Sequence, residues 1–222
     1  MSLLPPWHGN TVLPEMDGLI KKVAEEDRGP WMHTSLGGRF YPADPRPEEI
    51  FISDIANGHA LDCRYGGQGR VDRFYSVAEH CCHLYDWSRR VEWPWGASLA
   101  LLLHDSPEAY LRDLPMAVKS AVGRAYKNLE DKLAAMIFEK YGVSQFYYDW
   151  AREIKAADNA IAAPVERHHI MRHIVPWPQD HFQALPGVEI GCWNPRVAKL
   201  SFLSRYVQAA IELGLPFEEY EI

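Results

Sequence analysis

Three short stretches of this 222-residue chain place titratable side chains where apolar ones are expected. The first is Ala100-Leu101-Leu102-Leu103-His104-Asp105-Ser106-Pro107-Glu108-Ala109-Tyr110, an imidazole and a carboxylate at the end of an apolar helical run, with Glu108 at i+4 from His104. Burying such a pair is costly unless something compensates it, and a divalent cation is a ready partner. The second is His80, one turn into an expected helix. The third is Asp158, whose helical neighbours at i−4 and i+3 are Ile154 and Ile161, so its carboxylate faces an apolar side. Any one of these alone reads as a satisfied core or surface residue. Three that need a partner point to a shared metal.

Helices must carry these groups. Ser76-Val77-Ala78-Glu79 has the pattern of a capping box, a serine hydroxyl facing the amide three residues on and a glutamate reaching back. It opens a helix predicted to run to about Arg90, closed before Trp93-Pro94-Trp95-Gly96. A second helix is expected from near Ala97 to about Tyr110, and a third from Val122 to Tyr141. The third carries Tyr126, Leu129, Leu133, Met136 and Ile137 on one face and Gly142 as its stop. A fourth covers Phe146 to about Ala163, where Pro164 should kink or interrupt it. The last starts at Asn194-Pro195 and ends at Gly214. From about Glu48 the pattern is also helical, with Ile52, Ile55 and Ala56 in register. Residues 1–30 read as a peripheral extension with a short helical candidate from Glu15 to Glu26. Residues 31–47, with Gly37-Gly38, Pro42, Pro45 and Pro47, suit a short hairpin or irregular loop. The expectation is one all-α domain over 1–222, a compact multi-helix architecture with that hairpin or loop near its N-terminus.

A hydrophobic content of 47% with 24% charged residues places the chain among globular proteins, and no apolar run approaches a membrane span. No basic region followed by an apolar core opens the chain, so no secretory leader is expected and the cytoplasm is the expected compartment. The net charge is −7 and the basic residues form no stripe, which argues against a nucleic-acid polymer as partner. A small anion remains compatible, because a bound cation reverses the local field. Cys63, Cys81, Cys82 and Cys192 lack CxxC spacing and read as reduced thiols, Cys81 and Cys82 in the core. A rival cluster, His168, His169 and His173, includes an i, i+4 pair. Accompanied by Arg167 and Arg172, with Glu166 the nearby carboxylate, it reads better as a solvated basic helix end. Trp177 and Trp193, in proline-rich surroundings, are candidates to cover a base.

The order His, then His-Asp, then a distant Asp resembles the HD-domain metal-dependent phosphohydrolases. The likeness extends to Gly38-Arg39-Phe40, Ile52-Ser53-Asp54-Ile55-Ala56, His59-Ala60-Leu61 and Cys63-Arg64-Tyr65-Gly66-Gly67. It continues through Phe74-Tyr75-Ser76-Val77-Ala78-Glu79-His80, the Ala100–Tyr110 run and Ala157-Asp158, covering about residues 36–170. These blocks are similar to one branch, which contains 5′-deoxynucleotidases and phage dATP triphosphohydrolases.

The resemblance implies that His80, His104, Asp105 and Asp158 are metal ligands, a mixed N/O set suited to one divalent transition ion: Mn, Co, Fe, Ni or Zn. It implies that Glu108 and Asp113 act near the reacting phosphate, one activating a metal-bound water and the other protonating the leaving oxygen. Glu108 is favoured for the water, and the two roles are open to exchange. It implies that Arg64 binds phosphate through its planar fork and that Tyr65 lies against the substrate sugar, where deoxynucleotidases often carry tryptophan. Gln68 is a second departure, replacing a frequent histidine; Asn57-Gly58 looks inserted before His59, and residues 1–30 match nothing in that branch. The implied reaction is hydrolysis of the 5′-phosphoester of (deoxy)nucleotides, foremost deoxynucleoside 5′-monophosphates, by a metal-activated water. Triphosphate release from a dNTP is the first alternative and a non-catalytic nucleotide sensor the second. Relatives of this type also imply a homodimer.

Overall fold

In the computed structural model the described residues are 28–172 and 175–216. The expected helix from Glu15 to Glu26, and His173, lie outside them. The hairpin is short: β1 (Met32–His33) pairs antiparallel with β2 (Arg39–Phe40), setting Met32 opposite Phe40. Its turn is tied to the first helix by Asp54, whose Oδ1 accepts from Ser35 Oγ (2.6 Å) and Leu36 N (3.0 Å).

Among the described residues the rest of the regular structure is helical, as the patterning predicts, apart from an isolated antiparallel bridge between Cys63 and Ser76. α1 spans Ile52–Leu61, and Asn57-Gly58 lies within it as ordinary helical turn, so what looked inserted causes no loop. α2 spans Val77–Arg90, with Ser76 Oγ accepting from Glu79 N at 3.1 Å. The other half of the capping box does not form. Glu79 is fully buried and turns instead to the loop before the last helix, accepting from Gly191 N (2.7 Å), Cys192 N (2.9 Å) and Trp193 N (2.6 Å). Three backbone amides outcompete one, and the glutamate joins segments more than a hundred residues apart.

The helix expected from Ala97 to Tyr110 is two. α3 (Trp95–Leu102) stops, a turn carries Leu103–Pro107, and α4 (Glu108–Leu111) follows. Pro107 has no N–H to give Leu103, and the turn is tied instead by tighter bonds, Ser106 N to Leu103 O (2.9 Å) and Glu108 N to Asp105 O (2.8 Å). α5 (Met116–Val122) is a helix the patterning does not predict; Gly123, with φ +76 and ψ −150, sets it off from α6 (Arg124–Lys140), which fills the third segment expected from Val122 to Tyr141. Of the predicted face of α6, Leu133 and Ile137 are buried, and Tyr126, Leu129 and Met136 half-buried. The fourth segment bends at Trp150 into α7 (Ser144–Asp149) and α8 (Ala151–Ile161). Pro164 does not end it. Residues Ala162–Glu166 open into a π-turn, with Arg167 N bonded to Ala162 O, and α9 (Arg167–Ile170) continues. Widening the turn accommodates a residue without an N–H. α10 (Pro195–Leu213) runs as the caps dictate, with Asn194 Oδ1 accepting from Val197 N (3.1 Å) and Gly214 left-handed.

α3 sits at the centre, Leu99 to Leu103 being wholly buried, and α10 packs across α1, α2 and α3. The described residues share a single hydrophobic core, which includes Cys81 and Cys82. No helix among them is long and apolar enough to cross a membrane. α1 approaches the HD turn through Gly58: a Cβ built there would lie 2.6 Å from Ala109 O. Gly58→Ala should therefore cost about 1–3 kcal/mol, the usual range for overpacking against fixed backbone. Urea unfolding measures this, and an unchanged midpoint would mean that α1 and α4 are not in contact.

Candidate metal centre

Three elements converge. His80 comes from the first turn of α2, His104 and Asp105 from the turn after α3, and Asp158 from the last turns of α8. His80, His104 and Asp105 offer ligand atoms all within 4.8 Å of one another, a group that could hold a metal ion. Among the described residues it is the sole group of this kind; the rival cluster cannot be compared with it, because His173 lies outside them. Asp158 stands at its edge, Oδ1 lying 3.4 Å from His80 Nε2 and 4.0 Å from His104 Nε2, while its Oδ2 accepts from Lys155 Nζ at 2.7 Å. Asp105 faces both rings, with Oδ1 3.2 Å from His104 Nε2 and Oδ2 3.6 Å from His80 Nε2.

The hydrogen bonds behind the rings decide what the nitrogens can do. His104 Nδ1–H donates to Leu101 O (2.8 Å), and His80 Nδ1–H donates to Glu166 Oε1 (2.5 Å). A carbonyl and a carboxylate only accept, so the proton of each neutral ring sits on Nδ1 and the Nε2 lone pair is free. Both Nε2 atoms are buried without a hydrogen-bond partner. Two stranded acceptors beside two carboxylates are costly in a core and are satisfied by a cation, so the residues fit a divalent metal. Burial lowers the His104 pKa. Burial alone would raise the Asp105 and Asp158 carboxyls, but His104, His80 and the nearby basic residues overcome it and hold both below the usual range.

Arg64 closes the site. Its Nε donates to Glu166 Oε2 (3.1 Å), its Nη1 lies 3.4 Å from Asp105 Oδ2 and its Nη2 4.0 Å from Asp158 Oδ1. The guanidinium thus has one firm bond behind it and two long ones on the site side. Glu108, buried on α4, gives Oε1 to Lys119 Nζ (2.8 Å), which also reaches Glu130 (2.6 Å); its Oε2 has no partner. Burial, reinforced by the charges of Asp105 and Asp113, pushes the Glu108 carboxyl well up despite Lys119. Asp113 is likewise raised by burial, against the pull of Arg64. Its backbone N–H is held by Asp62 Oδ2 at 2.9 Å.

Tyr65 follows Arg64 in the same short turn. Left-handed at φ +60, it sends its hydroxyl back into the site, 3.0 Å from Ala162 O and 3.1 Å from Glu166 Oε2. Trp177 lies beside it, ring centroids 6.2 Å apart, whereas Trp193 packs on His83 at 5.1 Å. His169 is engaged by Arg73.

Sequence reasoning missed three residues. Glu166 is wholly buried and binds Arg64, Tyr65, Tyr75 (2.7 Å) and His80 at once; despite burial, Arg64 and His80 hold its carboxyl down at about 2. Pro164 within a helical pattern was the available signal, since π-turns recur at functional sites. His59 donates Nε2–H to Asp105 O (3.1 Å), fixing the backbone of the HD turn; burial lowers its pKa to about 4. Lys119 is the third.

No family model matches the chain. It is 38% identical over 143 residues to the uncharacterized protein RCAP_rcc00048 of Rhodobacter capsulatus, an overlap covering 63% of this chain and 72% of that protein. It is 34% identical over 116 residues to the uncharacterized protein YfdR of Escherichia coli, covering 51% of this chain and 59% of that one.

Proposed function

The chain belongs to the family of the Rhodobacter capsulatus protein RCAP_rcc00048, and from the site it carries we propose that it is a metal-dependent phosphohydrolase of the HD-domain class. Its proposed substrates are (deoxy)nucleotides, foremost deoxynucleoside 5′-monophosphates, cleaved at the 5′-phosphoester. The observation that supports this most is the pair of buried, unpartnered Nε2 atoms turned toward Asp105 and Asp158, with Arg64 beside them.

His80, His104, Asp105 and Asp158 would hold one divalent ion of the Mn, Co, Fe, Ni or Zn type. Such an ion supplies Lewis acidity toward a phosphoryl oxygen and lowers the pKa of water. The remaining work belongs to the protein. Arg64, anchored through Nε, presents both Nη groups to phosphate oxygens. Glu108 is a buried carboxyl and Asp113 a half-buried one, both raised above the usual carboxyl range by burial, which suits them to hold and pass on a proton. One withdraws a proton from the attacking water and the other delivers one to the leaving 5′-oxygen. Four free thiols suit a reducing cytoplasm.

Phosphate release from the four dNMPs, and tripolyphosphate release from the dNTPs, should be measured after chelation and after return of Mn²⁺ or Co²⁺. Phosphate release from dNMPs that disappears with the metal and returns with it is expected. Tripolyphosphate release in its place would move the substrate to the triphosphates. Metal-loaded protein inert toward both would remove the enzyme reading, and nucleotide binding without turnover would leave a sensor.

A further inference from the structure

We propose that the cavity of about 650 Å³ between α5 and α6 receives the nucleobase of the substrate. The inference rests on the nucleotide reading above and adds a base site to it. Three of the cavity's walls are joined to the segments that carry the chemistry. Lys119 lines it and bonds Glu108 Oε1 at 2.8 Å. Tyr126 lines it and donates its hydroxyl to Arg112 O at 2.9 Å, the residue preceding Asp113. Met116 lines it and follows Pro115, whose ring packs so closely on Gly66 that a Cβ there would lie 3.1 Å from Pro115 Cγ. Gly66 belongs to the turn that presents Arg64. A ligand with its phosphate at Arg64 therefore has this space alongside it.

The lining indicates which part of the ligand enters. Two of its three cations are neutralised, Lys119 by Glu108 and Glu130 and Lys127 by Asp131 at 2.6 Å; Arg124 is the third. At Lys119 and Lys127 a tail of further phosphates would have to displace these pairs. What the walls offer instead is the thioether of Met116, the ring of Tyr126 and two neutral hydrogen-bonding side chains, Ser120 and Asn128. Apolar walls with a few neutral polar groups suit a planar heterocycle, and the volume lies within the roughly 300–1,000 Å³ usual for small-molecule sites. α5 agrees with this role. None of its residues is buried, so it borders the space without filling it.

Ser120 is exposed on α5, and Ser120→Trp should fill the cavity without disturbing the core. Titration calorimetry of the metal-loaded protein with dAMP, dGMP, dCMP, dTMP and inorganic phosphate gives the test. In Ser120→Trp the affinity for the nucleotides should fall about tenfold, the order one stacked base is worth, with phosphate affinity unchanged. Asn128→Ala should alter the ranking of the four bases, and it decides the matter if the tryptophan variant does not fold. Nucleotide affinities within twofold of wild type in both variants, or equal loss of phosphate and nucleotide binding, would overturn the base site alone. Wild type that binds neither phosphate nor nucleotide would remove the nucleotide reading and this inference together.

Discussion

Glu166→Gln is expected to weaken divalent-metal binding by roughly 10–100-fold while leaving the fold in place, the usual scale for losing a group that orients a ligand. The carboxylate can only accept, so it fixes the proton of His80 on Nδ1 and leaves Nε2 open. An amide can also donate. With its NH₂ turned to His80 it would move the ring proton to Nε2 and block the position a metal needs. Glu166→Ala is harsher. It strands Arg64, Tyr65, Tyr75 and His80 in the interior, and loss of one partner from a buried ion pair costs about 3–5 kcal/mol. Metal titration and thermal unfolding of both variants separate the effects. Wild-type metal affinity in the glutamine variant would mean that His80 needs no such orientation.

Glu108→Gln should lower kcat by about 10²–10⁴-fold, the span for removing a positioned acid or base. Stability should move the other way. The folded-state pKa of Glu108 is raised, first by burial and then by Asp105 and Asp113. Such a group stabilises the fold fully below the ordinary carboxyl pKa, and that contribution is lost as pH rises through the raised value. Glutamine resembles the neutral acid and has no proton to lose. The variant should therefore be no less stable than wild type on the alkaline side, with a shallower decline there. Melting curves from pH 5 to 9 show this, and a variant both inactive and much less stable would assign Glu108 a structural role.

The parts of the fold legible in the sequence are those set by neighbours. Ser76, Asn194 and Gly214 act within one turn of where they stand, and the helices they bound match their expected limits. The break at Pro107 was equally local but lay inside apolar periodicity strong enough to mask it, and α5, short and with none of its residues buried, left no apolar face to find. The four expected ligands came from the family resemblance; the chain's own pattern marked His104-Asp105, at the end of an apolar run, and Asp158, on an apolar side, but not His80. Glu166 was not marked either. Its partners lie 86 to 102 positions earlier in the chain, and a glutamate followed by Arg-His-His has the look of a solvated helix end until the chain folds back. Glu79 misled for a related reason. Its spacing from Ser76 was right for a cap, yet the amides of residues 191–193 reach it first.

The widened turn at Ala162–Glu166 holds one residue more than a regular helical turn would, and the site's geometry depends on that extra residue being taken up there. In an unbroken α-helix, residues eight apart such as Asp158 and Glu166 would point roughly 80° away from each other. The π-turn takes up that difference and lets both carboxylates serve one centre. Removing one residue from the turn would leave the pair seven apart on a regular helix, still within about 20° of one face, whereas straightening the turn with all its residues kept would swing the glutamate off His80.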